Sequence, residues 1–380
     1  MKLRPFWIDR IRQGWARRPI VWLSGVRRVG KTTLAKMFTS AVYLNCDLPS
    51  VHRQVADPEL FYSHLDPGSE IIFDEIHRLE NPSLVLKIAA DHFPHFKILA
   101  TGSSTLAATK KFRDALTGRK VTIYLSPVLW TECQEVFEVR DLDRRLLHGG
   151  LPEPLLATEK DPAFFSEWID SFYARDIQEL FGIRNRIGFM KLLELLMRQS
   201  GGMLDYTNLA KLSDLSRLTV KAHLEAMTIA HAMYLLPPFH GGSRREITHR
   251  AKCYAFDTGF VAFAKGWDTI REEDRGLLWE HLVLDGLRTR VSEFNLFYWR
   301  DKSGREIDFI IKGSRDSVHA LECKIHPDHF DPKSLLHFRS LYPEGSNWVV
   351  CPYCPTSYSQ RVKNLMIHFC SLKDILTTTF

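Results

Sequence analysis

A glycine-bounded loop near the amino terminus constrains the fold of this chain more than any other feature. Residues 25–33 read Gly-Val-Arg-Arg-Val-Gly-Lys-Thr-Thr, which is the spacing G-x4-G-K-[ST]. The short apolar run Ile20–Ser24 before the loop predicts a buried strand, and the residues after the loop have helical spacing. A strand, a glycine turn and a helix are the context in which backbone N–H groups curl around phosphate. A chance match in a turn is the alternative, and it would need both flanks to be coincidental.

The residues of this loop predict a nucleotide site with ATP and Mg²⁺ as cofactors. Lys31 is expected to reach the β- and γ-phosphates, and the Thr32 hydroxyl is expected to ligate Mg²⁺. The further candidates for contact with the nucleotide are the other glycine, basic and hydroxyl residues of the loop: Gly25, Arg27, Arg28, Gly30 and Thr33.

A second run, Glu70–Asp74 followed by Glu75, predicts an apolar strand that ends in two carboxylates. Ligands of parallel sheets lie beyond the carboxyl ends of the strands. Asp74 is therefore expected to hold the Mg²⁺ shell, and Glu75 to polarise the attacking water. Taken alone the pair could be a solvated turn, but the phosphate loop favours the functional interpretation.

Two further positions are candidate catalytic residues. A third predicted strand ends at Thr101 and leads to Ser103, and either small side chain could sense the γ-phosphate. Arg119 follows a Leu-Thr-Gly turn and could neutralise charge on the transferred phosphoryl group, in cis or from a neighbouring subunit. Arg113 is the second choice for this role, and a plain surface arginine is the alternative for both.

The middle of the chain predicts a winged helix. The runs TNLAKLSD and SRLTVKAHLEAMTIAHAMYLL predict two helices joined by a tight turn, and HGGSRRE would form a basic wing between two strands. Residues 184–252 hold eleven Lys/Arg against five Asp/Glu, which favours DNA as a partner. The candidate phosphate contacts are Arg217, Lys221, Arg244 and Arg245. A structural adaptor without DNA contact is the alternative.

The carboxyl-terminal part carries four residues in the order of a nuclease site. Glu280 lies in a predicted helix, Asp308 in a strand, and Glu322 and Lys324 share one face of the next strand. Two or three of these carboxylates could hold Mg²⁺ or Mn²⁺, and Lys324 could orient or deprotonate water. This is the arrangement of the restriction-endonuclease-like, PD-(D/E)xK fold, which can also be inherited without its chemistry.

The cysteines and the hydropathy of the sequence indicate the cellular compartment in which the protein is expected. Seven cysteines in a long chain indicate a reducing cytoplasm rather than a disulfide framework. Cys351 and Cys354, with His368 and Cys370, could be a redox or zinc group, but buried unreactive cysteines are the favoured interpretation. No run of about 18 apolar residues predicts a membrane span. The basic amino-terminal segment is expected to form a helix on the nucleotide domain rather than a transit peptide.

The motifs GVRRVGKTT, IIFDEIHRL, ATGSS, LTGR, CYAFDTGF, EIDFII and LECK occur in this order. In this the chain resembles a prokaryotic family of AAA-like ATPases with an appended carboxyl-terminal domain of uncharacterised function. The resemblance implies an ATPase domain, a winged helix, a nuclease-like fold, and a homo-oligomer with nucleotide sites between subunits. His77 stands where such proteins commonly have Gln.

The expected fold class is α/β: a P-loop NTPase parallel sheet, an α-rich winged-helix domain, and an α/β restriction-endonuclease-like domain. The expected boundaries are residues 1–150, 151–265 and 266–380. The predicted function is a Mg²⁺-dependent ATPase acting on or with DNA, in which the ATP state controls the other two domains. The alternative is an oligomeric signalling switch whose last domain binds a partner protein and cuts nothing.

Overall fold

The computed structural model describes residues 2–102, 106, 110–241, 250–314 and 317–378. Three of the predicted site residues, Ser103, Arg244 and Arg245, lie outside the described residues. Within the described part of the chain, no helix has both the length and the apolar character that crossing a bilayer requires.

The amino-terminal part is built on a parallel sheet in the strand order β2-β3-β4-β1-β5. Strand β1 is buried along its whole length, and β3 and β4 are buried after their first residue, as parallel strands covered on both faces require. The strands are β1 Ile20–Ser24, β2 Val42–Asn45, β3 Glu70–Asp74, β4 Lys97–Thr101 and β5 Lys120–Tyr124. This is the predicted P-loop NTPase sheet, and the mixed α/β fold class is confirmed.

Short helices cover this sheet. They are α1 Pro5–Trp15, α2 Lys31–Ala35, α3 Pro49–Gln54, α4 Pro58–Ser63, a 3-10 turn Ile76–Arg78, α5 Pro82–His92 and α6 Lys110–Leu116. Helix α1 packs on the sheet as predicted, and its Gly14 leaves room for Val21, whose Cγ2 would lie 2.7 Å from an added Cβ. Helix α2 is shorter than its sequence suggests, because the amides of Met37 and Phe38 bond three residues back and tighten the chain into turns.

The middle part is mainly helical. Its helices are α7 Trp130–Glu135, α8 Leu142–His148, α9 Pro152–Leu156, α10 Pro162–Phe172, a π-helix Tyr173–Gln178, α11 Glu179–Phe181, α12 Arg186–Arg198, α13 Tyr206–Ser213, α14 Arg217–Ile229 and α15 Thr258–Lys265. Side-chain caps set the starts of the two helices predicted around a turn: Asp205 caps α13 and Ser216 caps α14. A small antiparallel sheet in the order β6-β8-β7 follows, from β6 Gly202–Met203, β7 Met233–Leu236 and β8 Lys252–Ala255.

The carboxyl-terminal part begins with the long helix α16 Glu272–Arg288 and forms a sheet in the order β13-β14-β12-β11-β10-β9. Strands β9, β10 and β11 are antiparallel, whereas β11, β12 and β14 run parallel. The remaining elements are β9 Leu296–Arg300, β10 Glu306–Lys312, β11 Val318–Cys323, α17 Lys333–Leu341, β12 Asn347–Val350, β13 Tyr358–Val362, β14 Leu365–Cys370 and α18 Leu372–Thr377, with 3-10 turns at Glu293–Asn295 and Pro327–His329.

The middle and carboxyl-terminal sheets are joined through the backbone. Pro238 bridges to Tyr298 of β9. The backbone N–H of Phe239 donates to the carbonyl oxygen of Tyr298 at 2.6 Å. The backbone N–H of Tyr298 donates to the carbonyl oxygen of Pro237 at 3.1 Å. One buried apolar cluster also runs through all three parts of the chain. These contacts hold the middle sheet against β9, the edge strand of the sheet that carries Asp308 and Glu322.

Candidate functional site

The phosphate loop lies between β1 and α2 and borders a cavity of about 540 Å³. Gly25 (φ 151°) and Gly30 (φ 101°) have backbone conformations that side chains rarely adopt. A Cβ at Gly25 would also lie 2.6 Å from the carbonyl oxygen of Leu125. The lining includes every predicted loop contact: Gly25, Arg27, Arg28, Gly30, Lys31, Thr32 and Thr33.

The ammonium of Lys31 lies at the centre of this loop. Its Nζ donates to the carbonyl oxygens of Gly25 at 2.8 Å and Val26 at 3.0 Å. Burial lowers the pKa of Lys31, although the nearby carboxylates of Glu75 and Asp176 act in the opposite direction. A triphosphate entering the loop would supply the negative charge that favours the ammonium form.

The Thr101 hydroxyl connects the two carboxylate residues at the end of β3. Its Oγ1 donates to Oδ1 of Asp74 at 2.6 Å and accepts from the backbone N–H of Glu75 at 3.0 Å. The hydroxyl of Tyr43 donates to the other Asp74 oxygen at 2.6 Å. Both side-chain hydrogen bonds to the Asp74 carboxylate come from uncharged hydroxyl groups, which is compatible with its predicted role as a Mg²⁺ ligand. Thr101 is fully buried and therefore orients Asp74 and Glu75 instead of facing the cavity.

Glu75 lines the cavity in a left-handed backbone conformation, with φ at 57°. Strained conformations of this kind are found at functional sites, where the surrounding structure holds them. Its Oε2 lies 3.2 Å from Nδ1 of His77. Burial alone would raise the pKa of Glu75, but the His77 hydrogen bond and the charge of Lys31 outweigh burial and lower it. Glu75 is thus a carboxylate at neutral pH, and His77 contacts it directly.

Arg119 lies away from the cavity of its own chain. It precedes β5, which runs parallel to β1 with Ile20 opposite Lys120, so Arg119 is at the opposite end of the sheet from the phosphate loop. Its guanidinium forms a two-point ion pair with Asp91, at 2.5 and 3.0 Å. A role in cis is incompatible with this position, and a role at a neighbouring subunit's nucleotide stays a prediction. Arg113 is on α6.

The middle part of the chain forms one wall of the nucleotide cavity, which the sequence did not predict. Arg27 pairs with Asp176 of the π-helix at 3.0 Å, and the Trp168 indole donates to the Arg27 carbonyl oxygen at 3.1 Å. The π-helix residue Arg175 also lines the cavity. Single-turn π-helices are frequent at functional sites but have no sequence signature that periodicity could reveal. The available signal that this segment packs as a helix was the recurrence of aromatic residues at helical spacing, namely Phe164, Phe165, Trp168 and Phe172.

A second contact joins the middle part to the base of the loop. Nε2 of His231, in the turn after α14, lies 2.7 Å from Oγ of Ser24, the residue before Gly25. Burial lowers the pKa of His231 to about 3, so the imidazole is neutral here.

The two described DNA candidates, Arg217 and Lys221, are exposed on the first two turns of α14. The Lys221 ammonium lies 5.5 Å from the centre of the Tyr206 ring. Their exposure leaves both cations accessible to a polyanion.

Three of the four predicted nuclease residues, Asp308, Glu322 and Lys324, are linked directly by ion pairs. Nζ of Lys324 lies 2.8 Å from Glu322 and 4.0 Å from Asp308. The backbone N–H of Cys323 donates to Asp308 at 2.7 Å. Burial and the charge of Asp308 raise the pKa of Glu322 to about 8.

The predicted metal set is not assembled. No group of three or more His, Cys, Asp or Glu side chains among the described residues is arranged to hold a metal ion. Glu280 instead accepts hydrogen bonds from Lys252, at 3.0 Å, and from the Tyr254 hydroxyl. The Glu280 carboxylate of the predicted metal set is thus paired with a lysine of the middle part of the chain.

All seven cysteines are free and buried. Burial raises the pKa values of Cys351 and Cys370 to about 12, which makes these thiols poor nucleophiles. His368 bonds to Ser359 at 2.8 Å. The interpretation of these cysteines as buried groups is confirmed.

Comparisons with known proteins divide the chain in three. Residues 17–134 match the family model described as "AAA domain". Residues 139–271 and 275–367 match two models described as "Domain of unknown function", DUF8612 and DUF4143 respectively.

Two curated relatives are "Uncharacterized protein Rv2008c" of Mycobacterium tuberculosis and "Uncharacterized protein Mb2031c" of Mycobacterium bovis. Each is 28% identical over 321 residues, which is 80% of this chain and 70% of the relative. Among solved structures, the Walker-type ATPase PABY2304 of Pyrococcus abyssi is 15% identical with a TM-score of 0.42, covering 68% of this chain and 94% of its own. RuvB of Thermotoga maritima is 16% identical with a TM-score of 0.31, covering 60% of this chain and 88% of its own.

The parallel sheet, the loop around Lys31 and the match to the AAA model define one class. The amino-terminal part of this chain is an AAA-like P-loop ATPase domain. Two further parts follow it, and their matched models assign no function.

Proposed function

We propose that this chain binds MgATP in the Lys31 loop and hydrolyses it with Glu75 as the residue that orients water. The observation that carries the proposal is the Thr101 hydroxyl, which holds both Asp74 and the Glu75 backbone beside the loop. Thr32 and Asp74 would hold the Mg²⁺ ion, which neutralises phosphate charge when bound. Glu75 lines the cavity as a carboxylate and is therefore able to accept a hydrogen bond from water.

Steady-state ATP turnover of a matched pair of variants tests this function. Glu75→Gln should bind ATP with wild-type affinity while kcat falls by roughly 10²–10⁴-fold, the range that general base catalysis supplies. Glu70→Gln is the control, because Glu70 begins the same strand at the end away from the loop. Equal turnover in Glu75→Gln and wild-type protein would show that Glu75 has no such role.

DNA is the proposed macromolecular partner. We also propose that ATP binding in the phosphate loop alters the DNA affinity of the middle part through contacts between the two. Arg217 and Lys221 are exposed cations at the start of α14, the second helix of a helix-turn-helix pair. The Arg27–Asp176 and Ser24–His231 contacts connect the phosphate loop to the same part of the chain. Salt-dependent retention of duplex DNA, compared with and without ATP, tests both points. DNA retention that does not change with salt concentration would contradict the DNA proposal.

A homo-oligomer completes this proposal. Arg119 cannot reach the nucleotide of its own chain. If it neutralises charge on the transferred phosphoryl group, it must do so at the nucleotide of a neighbouring subunit. Sedimentation with and without ATP tests the assembly, and a chain that stays monomeric in both conditions would contradict it.

Phosphodiester hydrolysis is a second candidate function, for the carboxyl-terminal part. The grouping of Asp308 on β10, Glu322 on the adjacent antiparallel strand β11 and Lys324 directly after β11 favours it. Carboxylate oxygens suit Mg²⁺ or Mn²⁺, which would act there as a Lewis acid, and Lys324 could hold the attacking water. Incubation with DNA, ATP and either metal tests it, with Asp308→Ala and Lys324→Ala as controls. DNA left intact in every condition would favour the alternative, a signalling switch that binds a partner protein.

A further inference from the structure

A lysine of the middle part lies among the carboxylates of the carboxyl-terminal part. We name Glu280, Glu306, Asp308 and Glu322 the carboxylate cluster. Nζ of Lys252 lies 3.0 Å from Oε1 of Glu280 and 2.5 Å from Oε1 of Glu306. The Lys252 side chain is only 6% exposed, so its contacts are with the protein and not with water.

The strand that carries Lys252 directs it to this place. Lys252 and Tyr254 are two residues apart on β8 and so share one face of the strand. Both donate to the same oxygen of Glu280. The Pro238–Tyr298 bridge fixes the middle sheet against β9, and the Tyr298 ring lies 5.5 Å from the Lys252 ammonium. Lys252 is therefore held from several sides.

The charge of Lys252 is needed in this position. Burial alone would lower its pKa, but Glu280, Glu306 and Asp308 outweigh burial and raise the pKa of the ammonium. Several carboxylates buried together without a cation would repel one another, since buried charges are tolerated only when they are paired. Lys324 pairs with the Glu322 and Asp308 end of the cluster, and Lys252 pairs with the Glu280 and Glu306 end.

We propose that Lys252 is the resident cation of the carboxylate cluster and that it competes with a divalent metal ion for the oxygen atoms of Glu280. The inference rests on the proposed nuclease-like role of the site and names how that site is regulated. While the middle sheet is docked on β9, the ammonium holds the Glu280 end of the cluster closed to Mg²⁺ or Mn²⁺. Withdrawal of β8 would remove Lys252 and Tyr254 from Glu280 together.

Direct measurement of Mn²⁺ binding to the full chain tests the proposal. Electron paramagnetic resonance of free Mn²⁺, without nucleotide or DNA, compares wild-type protein with Lys252→Met, which keeps the length of the side chain and removes its charge. Lys252→Met should gain one Mn²⁺ site at least about tenfold tighter than any site in the wild type, and adding Glu280→Gln should abolish it. Lys312→Met, on an exposed residue of β10, is the matched control and should behave as wild type.

Two results would overturn the proposal. One is equal Mn²⁺ affinity of Lys252→Met and wild-type protein. The other is a tight Mn²⁺ site in the wild type that Glu280→Gln removes, and this second measurement decides the matter even if Lys252→Met does not fold. Lys252→Arg retains the cation and should exclude Mn²⁺ as the wild type does.

Metal binding and DNA cleavage separate this inference from the nuclease proposal. A Lys252→Met protein that binds Mn²⁺ but leaves DNA intact supports Lys252 as the resident cation and contradicts the nuclease function. Wild-type protein that binds Mn²⁺ at Glu280 and cleaves DNA contradicts Lys252 as the resident cation and supports the nuclease function.

Discussion

Replacing Thr101 by valine tests how the catalytic carboxylates are held. Valine keeps the shape of threonine but removes the hydroxyl that donates to Asp74 at 2.6 Å and accepts from the Glu75 amide at 3.0 Å. The site is fully buried, so no water can replace the lost partner without rearrangement.

The expected loss can be worked from these two bonds. A hydrogen bond to a charged group contributes about 1.5–3 kcal/mol, and a buried donor left without a partner costs about 1–3 kcal/mol. Because such terms are not additive, we expect Thr101→Val to lower the free energy of unfolding by about 3 kcal/mol. ATP turnover should fall as well, since the Glu75 backbone is no longer tied to the end of β4.

Urea unfolding monitored by tryptophan fluorescence, alongside ATP turnover, measures both effects. Thr101→Ser is the matched control: it keeps the hydroxyl and loses one methyl group, at a cost of about 1 kcal/mol. The reasoning fails if Thr101→Val and Thr101→Ser are equally stable and equally active.

Three further outcomes are expected. Gly25→Ala should abolish nucleotide binding and destabilise the fold, because its Cβ would lie 2.6 Å from the Leu125 carbonyl oxygen at φ 151°; wild-type affinity in a binding titration would contradict this. Burial lowers the pKa of His281 to about 3, so the folded state binds fewer protons than the unfolded state between about pH 3 and 6.5, and stability is lost as pH falls below 6.5. We expect a loss on the order of 2 kcal/mol from this group at pH 5, absent in His281→Asn, and identical pH profiles of the two proteins would refute it. Arg217→Ala and Lys221→Ala should each weaken DNA retention and reduce its salt dependence by about one counterion, and a binding isotherm unchanged across salt concentrations would exclude phosphate contact.

The local features of the nucleotide domain could be predicted because their signals are local. Gly25 to Thr32 define the loop within a few residues, and Asp74 is the last residue of a strand whose apolar run marks it as buried. The Arg27–Asp176 pair could not be predicted, because 149 residues separate its members and a π-helix carries Asp176.

The carboxyl-terminal site shows the same limit. Glu322 and Lys324 were predictable as neighbours because extended residues two apart lie on one face, and they form an ion pair although the strand ends at Cys323. The prediction of Glu280 as a metal ligand did not include its contact with Lys252. Lys252 belongs to a different sheet, and only the docking of that sheet brings it to Glu280. Periodicity reports which residues share a face and not which distant charge that face will meet.

The central claim is that the Lys31 loop holds a triphosphate. Equilibrium binding of a fluorescent ATP analogue to Lys31→Ala measures it most directly, with Lys36→Ala as the control on an exposed lysine at the end of the same helix. The account predicts an affinity weakened at least about tenfold, or about 1.4 kcal/mol, in Lys31→Ala and an unchanged affinity in Lys36→Ala. Wild-type affinity in Lys31→Ala would contradict it.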